Sequence, residues 1–227
     1  MSNVLFEVCI DSVDGAIAAT RGGADRLELC SALSEGGITP SFGLVQSVLE
    51  QTHLPVMMMI RPRGGSFVYS ADEVAVMLRD IALAQKLGVA GVVFGCLEGD
   101  GALDIPTNET LIEAARPLAV TFHRAFDEAA VDPLAALDQL KGMGVDRLLT
   151  SGQKPSAEEG VERIRELIPR SDKVAVMPGA GVRPENAAEI IHATGATEIH
   201  GTASRFCDQL QRKVTCEETV RAIREAV

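Results

Sequence analysis

No apolar stretch in this 227-residue sequence is long enough to cross a bilayer. The longest, as at 54–60, fall far short of the roughly 18 residues a spanning helix needs. Positive charge is scarce as well: 21 lysines and arginines face 32 acidic residues, leaving a formal net charge of −11. A surface of that sign repels a phosphate backbone or an anionic membrane, so neither nucleic acid nor a membrane is expected as a partner. The start of the sequence has no basic segment leading into an apolar run and meets Glu7 and Asp11 at once. No signal peptide is expected, and a cytoplasmic location is.

Metal-type spacing is missing too, since no Cys-x-x-Cys or His-x-x-x-His occurs and any metal site must be assembled by the fold. Five cysteines (Cys9, Cys30, Cys96, Cys207, Cys216) are an odd number without framework spacing. Free thiols in a reducing compartment fit better than a disulfide scaffold. The five lysines (Lys86, Lys141, Lys154, Lys173, Lys213) all fall in helices, loops or the start of a strand. Schiff-base chemistry, which needs a desolvated lysine at an active-site mouth, is therefore disfavoured.

What is present is a regular alternation of apolar runs and amphipathic stretches. Strands are expected near 4–10, 25–30, 54–61, 90–96, 118–124, 146–151, 173–178 and 197–202. Between them lie capping-box patterns at Ser70/Glu73, Ser156/Glu159 and Thr215/Glu218, and prolines placed for a first helical turn in Thr39-Pro40, Asp132-Pro133 and Arg183-Pro184. Gly23, Gly88, Gly144 and Gly195 each read as a helix cap feeding a strand, at separations of 65, 56 and 51 residues. Successive pairs of βα units give such spacing. With 46% hydrophobic residues the chain can bury one large core. The expected fold is an α/β (β/α)₈ barrel, one domain over 1–227, with its site at the C-terminal ends of the strands. A doubly wound sheet is the competitor, disfavoured because no dinucleotide fingerprint follows a strand.

Strands one and two carry matched triplets, Glu7-Val8-Cys9 and Glu28-Leu29-Cys30. Alternation puts each glutamate and its cysteine on one face, with Phe6, Val8 and Ile10 on the other. Parallel neighbours lie about 4.8 Å apart, so the two thiols can share a soft ion such as copper(I). Each cysteine alone is as well explained by simple burial. Met57, Met59 or His123 could add ligands, although Met57-Met58-Met59 also reads as core filling. Cys96 ends strand four and is ambiguous, while Cys207 and Cys216 are expected on or near the last helix, without a role.

Other strand ends collect Glu7, Glu28, Arg61, Arg63, His123 and Asp127 as candidate acid, base and clamping groups. Glu7 and Glu28 need partners if buried, and Arg61, Arg63 and His123 are the expected ones. Thr150, Ser151, Gly179, Gly181, Gly201 and Thr202 follow strands six to eight, where barrels commonly hold an anion on backbone amides. Those glycines serve tight turns equally well.

Several longer motifs are specific: Glu7-Val-Cys9, Gly23-Ala-Asp-Arg-Leu-Glu-Leu-Cys30, Glu35-Gly-Gly-Ile-Thr-Pro-Ser41, Ile60-Arg-Pro-Arg-Gly-Gly65, Thr121-Phe-His-Arg-Ala-Phe-Asp127, Leu149-Thr-Ser-Gly-Gln153 and Gly179-Ala-Gly-Val-Arg183. In these the chain resembles the CutC family over nearly its whole length. The resemblance implies a cytosolic (β/α)₈ barrel linked to copper homeostasis, often a homo-oligomer and here expected as a dimer, with Cys9 and Cys30 on the proposed copper(I) ligands. Ser66 stands where that family commonly has Asp, and the region after strand eight is short. Two functions follow: a copper(I)-binding protein that buffers or traffics the ion, or an isomerase, lyase or hydrolase acting on a small anionic or phosphorylated molecule.

Overall fold

The computed structural model describes residues 4–227. Eight short strands run parallel: β1 (Leu5–Ile10), β2 (Arg26–Leu29), β3 (Val56–Met59), β4 (Gly91–Phe94), β5 (Ala119–Phe122), β6 (Arg147–Thr150), β7 (Ala175–Pro178) and β8 (Glu198–Gly201). Their order is β7-β6-β5-β4-β3-β2-β1-β8, and the two end strands lie against each other, which curls the sheet into a nearly closed barrel. The doubly wound alternative is excluded by that order.

Around the strands run α1 (Val13–Gly22), α2 (Phe42–Gln51), α3 (Ala71–Leu87), α4 (Ile105–Ala115), a single turn α5 (Ala125–Glu128), α6 (Pro133–Met143), α7 (Val161–Leu167), α8 (Ala187–Thr194) and α9 (Glu217–Ala226). The outward faces of β1 and β2, Phe6, Val8, Ile10, Leu27 and Leu29, are fully buried in the layer shared with the helices. Each such side chain stabilises the fold by about 1.5–3 kcal/mol. Gly23, Gly88, Gly144 and Gly195 end α1, α3, α6 and α8 in the left-handed conformation, as the sequence spacing predicts.

Start signals divide by what their side chains reach. Ser70 and Glu73 form a complete capping box on α3, and Asp132 caps α6 with Pro133 in its first turn. Pro40 and Pro184 instead precede their helices. Ser41 takes the cap of α2 by accepting the Leu44 N–H, and Arg183 N–H is held by the Asn186 side chain in the turn before α8. Ser156 and Glu159 bond as expected, but in a turn ahead of α7. Thr215 belongs to no cap, because the segment after β8 forms an antiparallel hairpin, β9 (Ser204–Cys207) with β10 (Arg212–Thr215). No hairpin is expected there from the residue pattern.

Candidate functional site

Parallel pairing sets β1 between β8 and β2, with Glu7 opposite Arg26 on one side and His200 on the other, and Cys9 opposite Glu28. The inward pleat of β1 and β2 therefore stacks a charged layer beneath a sulfur layer. Cys30 follows the end of β2 on the same face, and its Sγ lies 3.8 Å from Cys9 Sγ. The pair is reduced and buried. Glu28 Oε2 sits 3.5 Å from Cys30 Sγ, and donor atoms of Cys9, Glu28 and Cys30 all lie within 4.8 Å of one another. Met57 and Met59 pack with both thiols inside the barrel, whereas Met58 faces the helices. Gly37, at φ 89°, closes the loop after β2 over the thiol: a Cβ there would stand 2.9 Å from Cys30 Sγ.

Burial raises the Cys30 thiol to about 11, with Glu28 adding to it and against a hydrogen bond from Cys9 that lowers it. Cys9 rises well above the usual thiol range through its contact with Cys30 and its burial. Both are protonated thiols at neutral pH.

Glu7 is fully buried, and its partners are not the expected ones. Arg26 Nε donates to its Oε2, and His200 Nδ1 lies 2.8 Å from its Oε1. Arg26 also bonds Glu198 at 2.6 Å, and Arg147 grips the same Glu198 carboxylate. His200 Nε2 faces Glu28 at 3.9 Å. Burial alone would raise the Glu7 pKa, but the His200 and Arg26 contacts bring it down to about 2. Burial opposes charge on His200 too, yet Glu28 and the contacts with Cys9 and Glu7 raise it well above its ordinary value, so it is an imidazolium. Burial pushes Glu28 upward against that cation.

Arg61, Arg63 and His123 do not serve Glu7 or Glu28. Arg61 donates to the carbonyls of Glu35, Gly37 and Gly65, and stacks over Phe67. Arg63 pairs with Glu73 at 2.6 Å and donates to the Ser66 carbonyl, a backbone contact that makes no use of the Ser66 hydroxyl. His123 lies on β5's side of the mouth, with burial and Arg61 pulling it down to about 3 and hence neutral. Arg26, Arg147 and Glu198 escaped the sequence reading because they stand at strand starts. Their period-two spacing in Arg26-x-Glu28 and Glu198-x-His200 was the available signal.

Above the thiols opens a cavity of about 520 Å³ lined by Cys9, Glu28, His123, Arg124, His200 and the loops after β7 and β8, including Gly181, Gly201 and Thr202. Gly179 packs beneath, against His200 and Leu149. Thr150 and Ser151 are not free for an external anion, because Asp127 occupies them. Its carboxylate accepts from Thr150 Oγ1, Ser151 N–H, Ser151 Oγ and Gln153 N–H, and pairs with Arg124. Cys96 belongs to the outer core, its N–H bonded to Asn108 at 3.0 Å. Cys207 ends β9, and Cys216 stands just before α9 without capping it through its side chain.

The CutC family model matches residues 4–205. The chain belongs to the CutC family. A human copper homeostasis protein cutC homolog is 51% identical over 200 residues, 88% of this chain and 73% of the relative. A CutC family protein of Pasteurella multocida is 48% identical over 196 residues, 86% of this chain and 80% of its own. Among solved structures, the CutC protein from Streptococcus agalactiae superposes with a TM-score of 0.84 at 33% identity, covering 88% of this chain and 98% of that one. CutC membership places the chain in copper homeostasis. The thiamine phosphate pyrophosphorylase of Pyrococcus furiosus, at TM-score 0.64 and 18% identity, shares the barrel fold. No helix among the described residues is long and apolar enough to cross a membrane.

Proposed function

We propose that the chain serves copper homeostasis by binding a cuprous ion between Cys9 and Cys30, as a cytoplasmic buffer or carrier. The observation that carries this is the 3.8 Å separation of two reduced, buried sulfurs. A shared soft ion requires two thiolates within roughly 4.5 Å, and copper(I) prefers few, soft ligands over the oxygen cages that hard cations need. The thiols sit on rigid strand ends, so little reorganisation is needed. Glu28 stands beside them as a third donor, and Met57 and Met59 keep the surroundings apolar and polarisable. Two thiolates and one Cu(I) leave a single negative charge, which the neighbouring His200 imidazolium offsets.

Anaerobic competition against a cuprous chelator, with X-ray absorption to identify the ligands, tests the reading. One equivalent with sulfur in the first coordination sphere is expected, reduced at least a hundredfold in affinity by Cys9→Ser with Cys30→Ser. Equal cuprous affinity in that double variant would refute it.

A further inference from the structure

The side of the mouth formed by β5, β7 and β8 carries hydrogen-bond donors that nothing among the described residues satisfies, and none of them belongs to the sulfur pair. In the loop after β7, Ala180 and Gly181 both take positive φ, 78° and 71°. Alanine in that region costs about 1–2 kcal/mol, a strain the loop retains because its carbonyls are tied back. Ala157 N–H donates to Ala180 O, and Asn186 Nδ2 donates to Gly181 O. The N–H groups of Ala180, Gly181 and Val182 find no acceptor among the described residues, and neither do those of Thr202 and Ala203 after β8. All five residues line the same cavity.

His123 supplies a second, independent observation. It is 4% exposed, lines the cavity, and accepts the Ala125 N–H on Nδ1 at 3.3 Å. A neutral ring accepting on Nδ1 carries its proton on Nε2. That Nε2 is buried and has no hydrogen-bond partner among the described residues. The Phe67 ring that His123 packs against also carries Arg61, buried and without a carboxylate within ion-pair distance among the described residues. Lys213 of β10 lines the cavity as well and has no acidic partner among the described residues. Arg124 and Arg183 line it too, already paired with Asp127 and Glu158. The acid facing the space is Glu28, screened by the His200 cation.

We propose that this wall binds a small organic phosphate, the phosphoryl oxygens held by the free N–H groups after β7 and β8 and a second oxygen of the ligand accepting from His123 Nε2–H. Five unsatisfied N–H donors on residues lining one cavity match the acceptors of a phosphate better than the two oxygens of a carboxylate, and uncompensated cations nearby favour its charge. A carbonyl or carboxylate oxygen at the other end of the ligand suits a neutral imidazole donor. The site is independent of the cuprous reading, since it uses neither thiol.

The test uses the full chain with Cys9→Ser and Cys30→Ser, so that failure of either reading leaves the other measurable. Inorganic phosphate, titrated by ¹H–¹⁵N NMR, is expected to move the amides of Ala180, Gly181, Val182, Thr202 and Ala203 downfield together and to saturate, with acetate doing so far more weakly. In calorimetry, 2-phosphoglycolate binds more tightly than phosphate. His123→Phe lowers its affinity at least tenfold without changing that for phosphate, and His123→Gln, which keeps a donor, recovers most of it. Shifts confined to surface lysines, acetate matching phosphate, or equal 2-phosphoglycolate affinity in His123→Phe would each overturn the proposal.

Discussion

At the scale of single residues, the two histidines at the mouth are held in opposite states by what they touch. His200 lies between the carboxylates of Glu7 and Glu28, while His123 faces a backbone N–H and the Phe67 ring over which Arg61 also stacks. ¹⁵N NMR of the imidazoles at pH 6 is expected to show His200 as imidazolium and His123 as the neutral Nε2–H tautomer, not titrating between pH 5 and 8. A two-proton signal from His123 at pH 6 would contradict this. Arg26 carries a different burden, because it is the cation common to Glu7 and Glu198. Arg26→Met leaves buried carboxylate charge uncompensated and should destabilise the fold by about 3–5 kcal/mol in chemical denaturation. A loss below about 1 kcal/mol would mean that His200 and Arg147 suffice.

Among the elements, the loops after β2 and β6 show how backbone conformation builds the site. Gly37→Ala places a methyl 2.9 Å from Cys30 Sγ at a φ of 89°. A loss of about 1–2 kcal/mol is expected from the conformation alone, with cuprous affinity falling as the thiol is displaced. Unchanged copper binding would show that the loop does not set the sulfur position. Asp127 plays the matching part for the loop after β6, standing as a built-in anion on donors that would otherwise be unsatisfied. Asp127→Ala should lower stability by roughly 2–4 kcal/mol. Hydrogen exchange at Ser151 and Gln153 should rise with it, and protection equal to the parent's would refute the assignment.

For the molecule as a whole, acid is the weak side. His123 binds its proton near pH 3 in the folded state and near 6.5 when unfolded, so stability is full above about 6.5 and falls as pH drops towards 3. Glu7 adds the same sign between its ordinary value of 4.5 and about 2. His200 acts oppositely: its contribution is complete below 6.5 and is lost only as pH rises through its raised folded value. Each group changes stability by at most about 1.4 kcal/mol per pH unit inside its window. Denaturation at pH 7, 5.5 and 4.5 is expected to show a decline that His123→Asn flattens; an unaltered slope in that variant would remove His123 as its source.

The sequence alone determined the barrel, because alternation of period-two and period-3.6 patterns with glycine caps is local physics written residue by residue. It also placed Cys9, Glu28 and Cys30 on one face, since strand alternation needs no knowledge of neighbours. The hairpin of β9 and β10 escaped it, as short polar strands carry little hydrophobic period. Partnership was decided by tertiary structure. Glu7 meets Arg26, 19 residues away, because β2 pairs with β1, and His200, 193 residues away, because β8 pairs with β1 on its other side, while Arg61 is spent on carbonyls of the loops after β2 and β3. Which donors are left free at the mouth is likewise a property of the closed barrel, for a charge or an N–H is satisfied by whatever the fold brings within 3 Å, not by its neighbours along the chain.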